Sequence, residues 1–261
     1  MPELPEVETF KRYLDSTSLM KTIKKVEVRD RRILSCTITA LKKTLQGKTF
    51  KNSIRHGKNL FVDLDSSYLM LHFGMTGDLE AFENKDDEPR YSKVLFEFTD
   101  GTFLSYVSMR MFGRVGVVDD MDEYLTEKKL GPDALKMNYT EFKEALNKRS
   151  AIAKSALLNQ EIFAGIGNIY SDEILFRTRI HPKTKINLLE EEQLKALFKN
   201  IKDVLEYGIE HEGELSEYSQ DFLIPHRDKE ERCPKCGTEI ERYEISGRHG
   251  FFCPLCQKIA K

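Results

Sequence analysis

The spacing of apolar residues divides the chain into three successive patterns. The first is a single helix, because Pro5 suits the first helical position and Val7, Phe10 and Leu14 recur at helical spacing. This helix is predicted to end near Leu19. From there to about residue 118, short alternating runs are separated by Gly, Asp and Asn turn signals, which predicts strands of a β-sandwich. The clearest predicted strands are Lys24–Val28, Leu60–Leu64, Val94–Phe98 and Thr102–Val107.

After the strands the pattern becomes helical. The acidic segment Asp119–Glu127 is interpreted as a surface connection, and Gly131–Asp133 interrupts regular structure. Helices are then predicted over Tyr139–Asn147, Ala151–Phe163, Ile169–Phe176 and Glu190–His211. We therefore predict an α+β multidomain protein, with an N-terminal β-sandwich domain and its leading helix over 1–130, a helical domain over 131–226 and a cysteine-rich module over 227–261.

The cysteine-rich module has the spacing of a metal site. Cys233 and Cys236 are followed, after sixteen residues, by Cys253 and Cys256. Two such pairs supply four thiolates to a tetrahedral Zn²⁺, and an ion whose four positions are all filled by protein is structural. We predict one structural zinc ion per chain, held by a zinc ribbon.

Two further segments have features of phosphate sites. The turn of the ribbon, Ser246–Gly250, presents Arg248, which either reaches a phosphate or only aids solubility. The segment Gly165–Tyr170, with the sequence GIGNIY, lies between two predicted helices. Its glycines permit a tight turn, and the amides of the following helix, with the side chain of Asn168, form a natural phosphate site. The alternative is an ordinary helix–turn–helix connection capped by Asn168.

The N-terminus offers a nucleophile. Removal of Met1, which a small second residue favours, leaves the secondary amine of Pro2 beside Glu3 and Glu6. An α-amino group has a pKa of about 8, so part of it is unprotonated at neutral pH. Such an amine can attack a sugar C1′ and form an iminium, with Glu3 moving protons. The alternative is that this segment only begins the helix.

Three other positions each have two interpretations, one functional and one purely structural. Lys58 follows Gly57 at the start of a predicted strand, where it is either part of a site or one more surface lysine. Met75 and Phe112 each lie beside glycine turns, as in a protein that inserts a wedge between stacked bases. Core packing accounts for these two side chains equally well.

Composition changes this picture in one respect. The 261 residues are 40% hydrophobic and 32% charged, as in a soluble globular protein, and a net charge of −2 gives no sign of a nucleic-acid partner. Residues 21–60, however, carry twelve Lys and Arg against two acids. This basic segment either holds a polyanion or forms solvated strand and loop surfaces. Because no apolar run approaches the roughly 18–20 residues of a membrane span and the N-terminus is unlike a signal peptide, we expect a cytoplasmic protein without membrane contact.

Six motifs in order resemble the formamidopyrimidine-DNA glycosylase family, whose wider superfamily includes endonuclease VIII. They are PELPEVET, HGKNL, HFGMTG, RMFG, LLNQ with GIGNIYSDE, and GR with FFCPLCQ, and they cover essentially the whole chain. The resemblance implies a bifunctional DNA glycosylase/AP lyase of base-excision repair, with a helix–two-turns–helix domain and a zinc finger. It implies damaged double-stranded DNA as partner and association with the nucleoid, and we expect a monomer.

The resemblance also implies roles for individual residues. Pro2 is implied as the Schiff-base nucleophile, Glu3 as the acid/base and Lys58 as a proton donor and phosphate contact, and Arg248 is implied to assist the second elimination of a β,δ-elimination. Further contacts to DNA are implied for Glu6, His72, Met75, Tyr91, Arg110, Phe112, Arg149, Lys154 and Asn168, of which Met75, Arg110 and Phe112 fill the gap left by the flipped nucleotide.

The chain departs from the family at several places. Ser108, Met111, Tyr91 and Asn159 replace residues that the family commonly has, and the interval 213–227 lacks the length of the loop that caps flipped 8-oxoguanine in bacterial enzymes. We therefore expect ring-opened formamidopyrimidines, hydantoins or oxidised pyrimidines as substrates rather than 8-oxoguanine. One alternative is an endonuclease VIII-like enzyme for oxidised pyrimidines. Another is a non-catalytic DNA-damage-binding zinc-ribbon protein, against which the presence of Pro2, Glu3 and Lys58 argues.

Overall fold

The computed structural model describes residues 2–146, 150–228 and 230–259. They form two compact units. The first contains Pro2 and Glu6–Lys128, and the second contains Glu3–Pro5 and Lys129–Lys261.

The first unit contains two four-stranded antiparallel sheets. One sheet has the order β1-β6-β7-β5 and the other the order β2-β3-β4-β8. The strands are β1 Ile23–Val28, β2 Asn52–His56, β3 Asn59–Asp63, β4 Tyr68–His72, β5 Gly77–Phe82, β6 Ser92–Phe98, β7 Phe103–Ser108 and β8 Arg114–Val118.

The two sheets share one apolar core, as the alternating pattern predicts. Alternate residues such as Val94 and Phe96 of β6 and Leu69 and Leu71 of β4 belong to the same buried cluster. Successive side chains of a strand point to opposite faces, so an alternating strand buries only one of its faces. The first unit is therefore a β-sandwich.

Helices of the first unit differ in part from the prediction. The leading helix α1 runs over Leu4–Ser18, close to its predicted limits, whereas α2 at Ile38–Leu45 was not predicted. A third helix, α3, covers Met121–Glu127, where a surface connection was predicted. The segment does lie at the surface, with no buried residue, but its helical form was not predicted. The helix forms because Asp120 caps it, its carboxylate accepting from the Glu123 amide at 2.8 Å, and because Tyr124 packs edge-on against Phe61.

Helices and the ribbon make up the second unit. The helices are α4 Tyr139–Leu146, α5 Ala153–Leu158, α6 Asn168–Arg177 and α7 Glu191–Glu210, and the ribbon is the hairpin of β9 Glu241–Ile245 and β10 Arg248–Phe252. Helix α5 ends five residues before the predicted Phe163, because Asn159 has extended backbone and its side chain accepts from the Glu161 amide. Ile162 and Phe163 are nevertheless buried in the core of this unit, which explains the misleading pattern. None of the helices within the described ranges is long and apolar enough to cross a membrane.

Candidate active site and zinc ribbon

The carboxylate of Glu3 lies at the N-terminus of α6. Glu3 is 2% exposed, and its Oε1 accepts a hydrogen bond of 2.9 Å from the Ile169 amide. A Cβ at Gly167 would collide with this carboxylate, and Gly165 has a φ of +117° beside Leu4. The glycines of the GIGNIY segment therefore allow residues 3 and 4 to approach the backbone, and the helix terminus stabilises the negative charge of Glu3.

This arrangement changes the interpretation of the GIGNIY segment. The Ile169 amide, which the sequence assigned to a phosphate, is bound by Glu3 instead. Capping by Asn168 is also wrong, because the cap is Gly167 and Asn168 is the first helical residue. The Asn168 amide nitrogen donates to the His249 carbonyl at 2.7 Å, while its Oδ1 is buried without a hydrogen-bond partner. Asn168 therefore links α6 to the ribbon.

Lys154, implied as a DNA contact, is fully buried. Its ammonium donates to the Asn168 carbonyl at 2.9 Å, to Ser171 Oγ at 2.8 Å and to Asp172 Oδ1 at 2.5 Å. Three acceptors use the three donors of an ammonium group. Burial lowers the pKa of Lys154, and the neighbouring Asp172 carboxylate opposes that shift. In this position the Lys154 ammonium has no hydrogen left to donate to a phosphate. The structure therefore does not place Lys154 for a direct contact with DNA.

Asp172 is the centre of a buried polar cluster. Its Oδ1 also accepts from the Tyr243 hydroxyl at 2.6 Å, and its Oδ2 accepts from the Arg227 guanidinium at 2.8 Å and from the Phe251 amide at 3.1 Å. We call Lys154, Asp172, Arg227 and Tyr243 the Asp172 cluster. It joins α5, α6, both ribbon strands and the segment before the ribbon, so it sets the position of the ribbon on the helices.

The four ribbon cysteines form one thiolate group. Their Sγ atoms all lie within 4.8 Å of one another, with 3.9 Å between Cys233 and Cys256 and 3.5 Å between Cys236 and Cys253. A tetrahedral zinc ion with Zn–S bonds of about 2.3 Å requires sulfur atoms about 3.8 Å apart. The cysteines therefore fit one structural Zn²⁺, as predicted.

Arg248 lies at the tip of the ribbon hairpin. Ser246 and Gly247 both have positive φ, at 53° and 68°, which is the backbone of a two-residue hairpin turn. Arg248 begins β10 directly after this turn, pairs in register with Ile245 and is exposed. The tip is therefore placed to present a cation to solvent.

In the first unit, two loops bring the wedge candidates together. We call residues 73–77 and 109–113 the glycine loops. A Cβ at Gly74 would collide with the backbone of Phe112, and the Arg110 amide donates to Thr76 Oγ1 at 3.0 Å. Such close packing of two backbones requires glycine and holds both loops in one arrangement.

The outer ends of the glycine loops are exposed and apolar. Met75 is 40% exposed, Met109 56% and Phe112 57%, and the Arg110 guanidinium lies 5.8 Å from the centre of the Phe112 ring. Core packing, the alternative interpretation of Met75 and Phe112, is therefore wrong. Arg114 holds the base of the second loop by donating to the Gly113 carbonyl at 2.6 Å.

The remaining candidates of the first unit are partly buried. Pro2 precedes α1, Glu6 lies in its first turn, and Lys58 follows Gly57 in the turn between β2 and β3. His72 ends β4, where burial, followed by the nearby charges of Lys58 and Arg114, lowers its pKa. It is therefore largely neutral at pH 7.

Tyr91 precedes β6, and its ring lies 5.2 Å from the Arg90 guanidinium and 5.9 Å from the Lys93 ammonium. Tyr91 thus stands among cations, which suits the edge of a polyanion site. Arg149 falls outside the described residues.

Most of the basic segment is paired with acids of the first unit. Ion pairs join Lys24 to Glu97 at 2.6 Å and Arg55 to Glu8 at 2.7 Å. The other pairs are Lys21–Asp100, Lys25–Glu27, Arg29–Glu27, Arg29–Glu88, Arg32–Asp30 and Lys51–Asp65. These pairs involve seven of the twelve cations of residues 21–60, so the charge excess is reduced and the segment is not a uniform polyanion site.

The Asp172 cluster was not predicted from the sequence. Ser171, Asp172 and Glu173 are three consecutive polar residues, and all are fully buried or nearly so. Three polar residues in succession would ordinarily place at least one on a solvated face. The sequence did contain a signal for their burial. The three residues follow Gly165 and Gly167 and are flanked on both sides by apolar residues of the same predicted helix.

Three family profiles match the chain in order. They are the formamidopyrimidine-DNA glycosylase N-terminal domain over residues 1–115, the H2TH domain of the same glycosylase over 130–220, and the zinc finger found in FPG and IleRS over 230–259.

Relatives and solved structures agree with these profiles. The formamidopyrimidine-DNA glycosylase of Pelotomaculum thermopropionicum is 36% identical, covering 99% of this chain and all of the relative, and that of Bacillus subtilis is 34% identical, covering 98% and 99%. The Lactococcus lactis glycosylase, non-covalently bound to DNA with an AP site, superposes with a TM-score of 0.89 at 30% identity, covering 98% of this chain and 99% of that one. A structure of MutM with DNA containing carbocyclic 8-oxo-G gives 0.87 at 31% identity, covering 98% and 100%. The predicted fold class and structural zinc are confirmed, and the chain belongs to the formamidopyrimidine-DNA glycosylase family.

Proposed function

We propose that this protein is a bifunctional DNA glycosylase/AP lyase, which removes oxidised bases through a Schiff base with the N-terminal proline and then cleaves the strand by β,δ-elimination. The observation that carries the proposal is the buried Glu3 carboxylate, fixed on the Ile169 amide beside Gly167. Glu3 directly follows Pro2 in the sequence, so its carboxylate is the proposed group for proton transfer to and from that amine.

The chemistry follows from the N-terminal amine. Once Met1 is removed, the Pro2 nitrogen lone pair forms a bond to C1′, the base leaves with the electrons of the glycosidic bond, and the sugar ring opens to an iminium. The iminium then accepts electrons as a C2′ proton is removed and the 3′ phosphate departs. A second elimination releases the 5′ phosphate. Glu3 moves the protons, Lys58 contacts a phosphate and donates a proton, and Arg248 assists the second elimination.

The glycine loops serve the extrusion of the nucleotide. An enzyme that acts on a base in a duplex must take that base out of the stack, and apolar side chains inserted between base steps fill the gap. The exposed Met75 and Phe112 supply such side chains, and Arg110 between them supplies donors for the orphaned base. Glu6, His72 and Tyr91 are proposed near the extruded nucleotide and its flanking backbone, and Asn168 near a phosphate.

The short interval 213–227 bears on the lesion. The alignments to the relatives extend over 274 to 276 positions, more than the 261 residues of this chain, and the resemblance is what assigns the shortening to this interval. The interval also packs against α6. The Glu173 carboxylate accepts a hydrogen bond of 3.0 Å from the Ile224 amide, and the Arg177 guanidinium lies 3.6 Å from the centre of the Phe222 ring. A short segment that is held against α6 by these contacts is poorly suited to fold over a flipped purine. Ring-opened formamidopyrimidines, hydantoins or oxidised pyrimidines are therefore favoured over 8-oxoguanine, and the same observation favours the endonuclease VIII-like alternative.

Borohydride trapping tests the nucleophile. The protein is incubated with a duplex containing an abasic site, reduced with borohydride and digested, and the peptide that carries the deoxyribose remnant is found by mass spectrometry. The expected adduct lies on the nitrogen of Pro2. An adduct on a lysine refutes Pro2 as nucleophile, and binding without any adduct supports the non-catalytic alternative.

A matched pair of variants tests Glu3. Glu3→Gln keeps the shape and the hydrogen bond from the Ile169 amide but cannot carry a proton in the same way, so we expect base excision to fall far more than binding to an abasic duplex. Glu192→Gln on the exposed first turn of α7 is the control and should retain both. A panel of duplexes with 8-oxoguanine, a formamidopyrimidine, a hydantoin and an oxidised pyrimidine then ranks the lesions.

A further inference from the structure

The glycine loops expose two thioethers. Met75 is 40% exposed and Met109 56%, whereas Met70 and Met137 are 2% and 3% exposed. Met20, at 70%, is also exposed but follows α1 and lies outside these loops. Met111 and Met121 are partly buried. Among the methionines of the described ranges, Met20, Met75 and Met109 are therefore the exposed ones, and two of these three lie on the glycine loops.

Backbone contacts hold together the two loops that carry these thioethers. Gly74 packs against the backbone of Phe112, and the bond from the Arg110 amide to Thr76 joins the two loops. Met111 has a φ of 59°, which further restricts the second loop. The backbones of the loops that carry Met75 and Met109 are therefore held together, with both side chains exposed.

Exposed methionine is a substrate for two-electron oxidants. Hydrogen peroxide transfers one oxygen atom to the sulfur, which is oxidised from thioether to sulfoxide while the peroxide is reduced to water. The product is polar and chiral, and thiol-dependent reductases return it to the thioether. Insertion of a sulfoxide between stacked bases costs free energy, because a polar group without a hydrogen-bond partner loses its water.

We propose that Met75 and Met109 are a reversible oxidation site, at which peroxide weakens the binding of damaged DNA and methionine sulfoxide reduction restores it. The inference rests on the proposed function, since it requires the glycine loops to contact DNA. It adds that the contact surface is itself sensitive to the oxidants that damage bases.

The test compares affinity before and after oxidation for each protein separately. Wild type, Met75→Leu/Met109→Leu and Met20→Leu are treated with hydrogen peroxide, sulfoxides are located by peptide mass spectrometry, and zinc content is measured to detect oxidation of the ribbon cysteines. Kd is measured with a fluorescent duplex carrying a tetrahydrofuran abasic analogue. Leucine is close to methionine in volume but carries no sulfur.

We expect Met75, Met109 and Met20 to oxidise before Met70 and Met137. The Kd of wild type and of Met20→Leu should then rise about tenfold, which corresponds to about 1.4 kcal/mol. The double leucine variant should keep its own starting Kd, and reductase treatment should restore wild type.

Three results overturn the inference. One is an equal rise of Kd in the double leucine variant, which would point to the cysteines. Another is the absence of sulfoxide at Met75 and Met109 when buried methionines are already modified. Failure of the untreated protein to bind the duplex overturns the proposed function as well, whereas binding with no sensitivity to peroxide overturns this inference alone.

Discussion

Replacement of Lys154 tests whether the Asp172 cluster holds the second unit together. Lys154→Met removes the ammonium from three acceptors while keeping much of the apolar stem. Asp172 retains the Arg227 guanidinium, the Tyr243 hydroxyl and the Phe251 amide, so its charge is not left alone. Removal of one partner of a buried ion pair costs about 3–5 kcal/mol, and the remaining partners place this case near about 3 kcal/mol.

The assay is urea unfolding followed by circular dichroism with zinc in excess, supported by calorimetry. A loss of about 3 kcal/mol in a unit of this size lowers Tm by about 10 °C. The matched control is Lys199→Met, which removes an exposed ion pair to Asp203 one helical turn away on α7. Exposed pairs contribute about 0–1 kcal/mol, so this control should unfold nearly as wild type does. Equal losses in the two variants would refute the structural role of the Asp172 cluster.

The salt dependence of DNA binding separates this role from a phosphate contact. Loss of one phosphate contact reduces the slope of log K against log salt concentration by about 0.9. Lys154→Met should leave that slope unchanged, because its ammonium is bound inside the protein. Arg248→Gln should reduce the slope by about one contact, since Arg248 is exposed at the ribbon tip. A reduced slope in Lys154→Met would contradict the buried position.

Two further predictions concern the metal and a buried acid. Cys253→Ser should lose zinc by elemental analysis and weaken DNA binding, because one of four thiolates is missing, whereas Cys36→Ser should keep both. Unchanged zinc in Cys253→Ser would contradict the ligand assignment. Burial raises the pKa of Glu173 from its ordinary 4.5 to about 7. The folded state therefore holds a proton that the unfolded state releases, so the free energy of unfolding should fall as pH rises from 4.5 to 7 and then level off. Glu173→Gln should abolish that dependence, and an unchanged profile would show that another group titrates.

Much of the fold was readable from local patterns. The zinc ribbon follows from two cysteine pairs, because ligand spacing is a property of the sequence itself. The sandwich follows from alternation, because one buried face per strand leaves a period of two along the chain. The leading helix follows from Pro5 and the helical spacing after it. In contrast, α3 was missed because its residues are mostly polar and its stability depends on a cap and on Tyr124 packing against Phe61.

By itself, the sequence predicted the zinc ligands and the order of domains, since these rest on residue type and spacing, whereas the full set of catalytic candidates came from the family resemblance of its motifs. Only the tertiary structure decided which groups surround each candidate. Gly167 makes room for Glu3 rather than for a phosphate, and Lys154 binds Asp172 inside the protein. Several cations of the basic segment are paired with acids that are distant in sequence, such as Lys24 with Glu97 and Arg29 with Glu88. The physical reason is that burial and ion pairing depend on the elements that fold against a residue, and no local pattern records them.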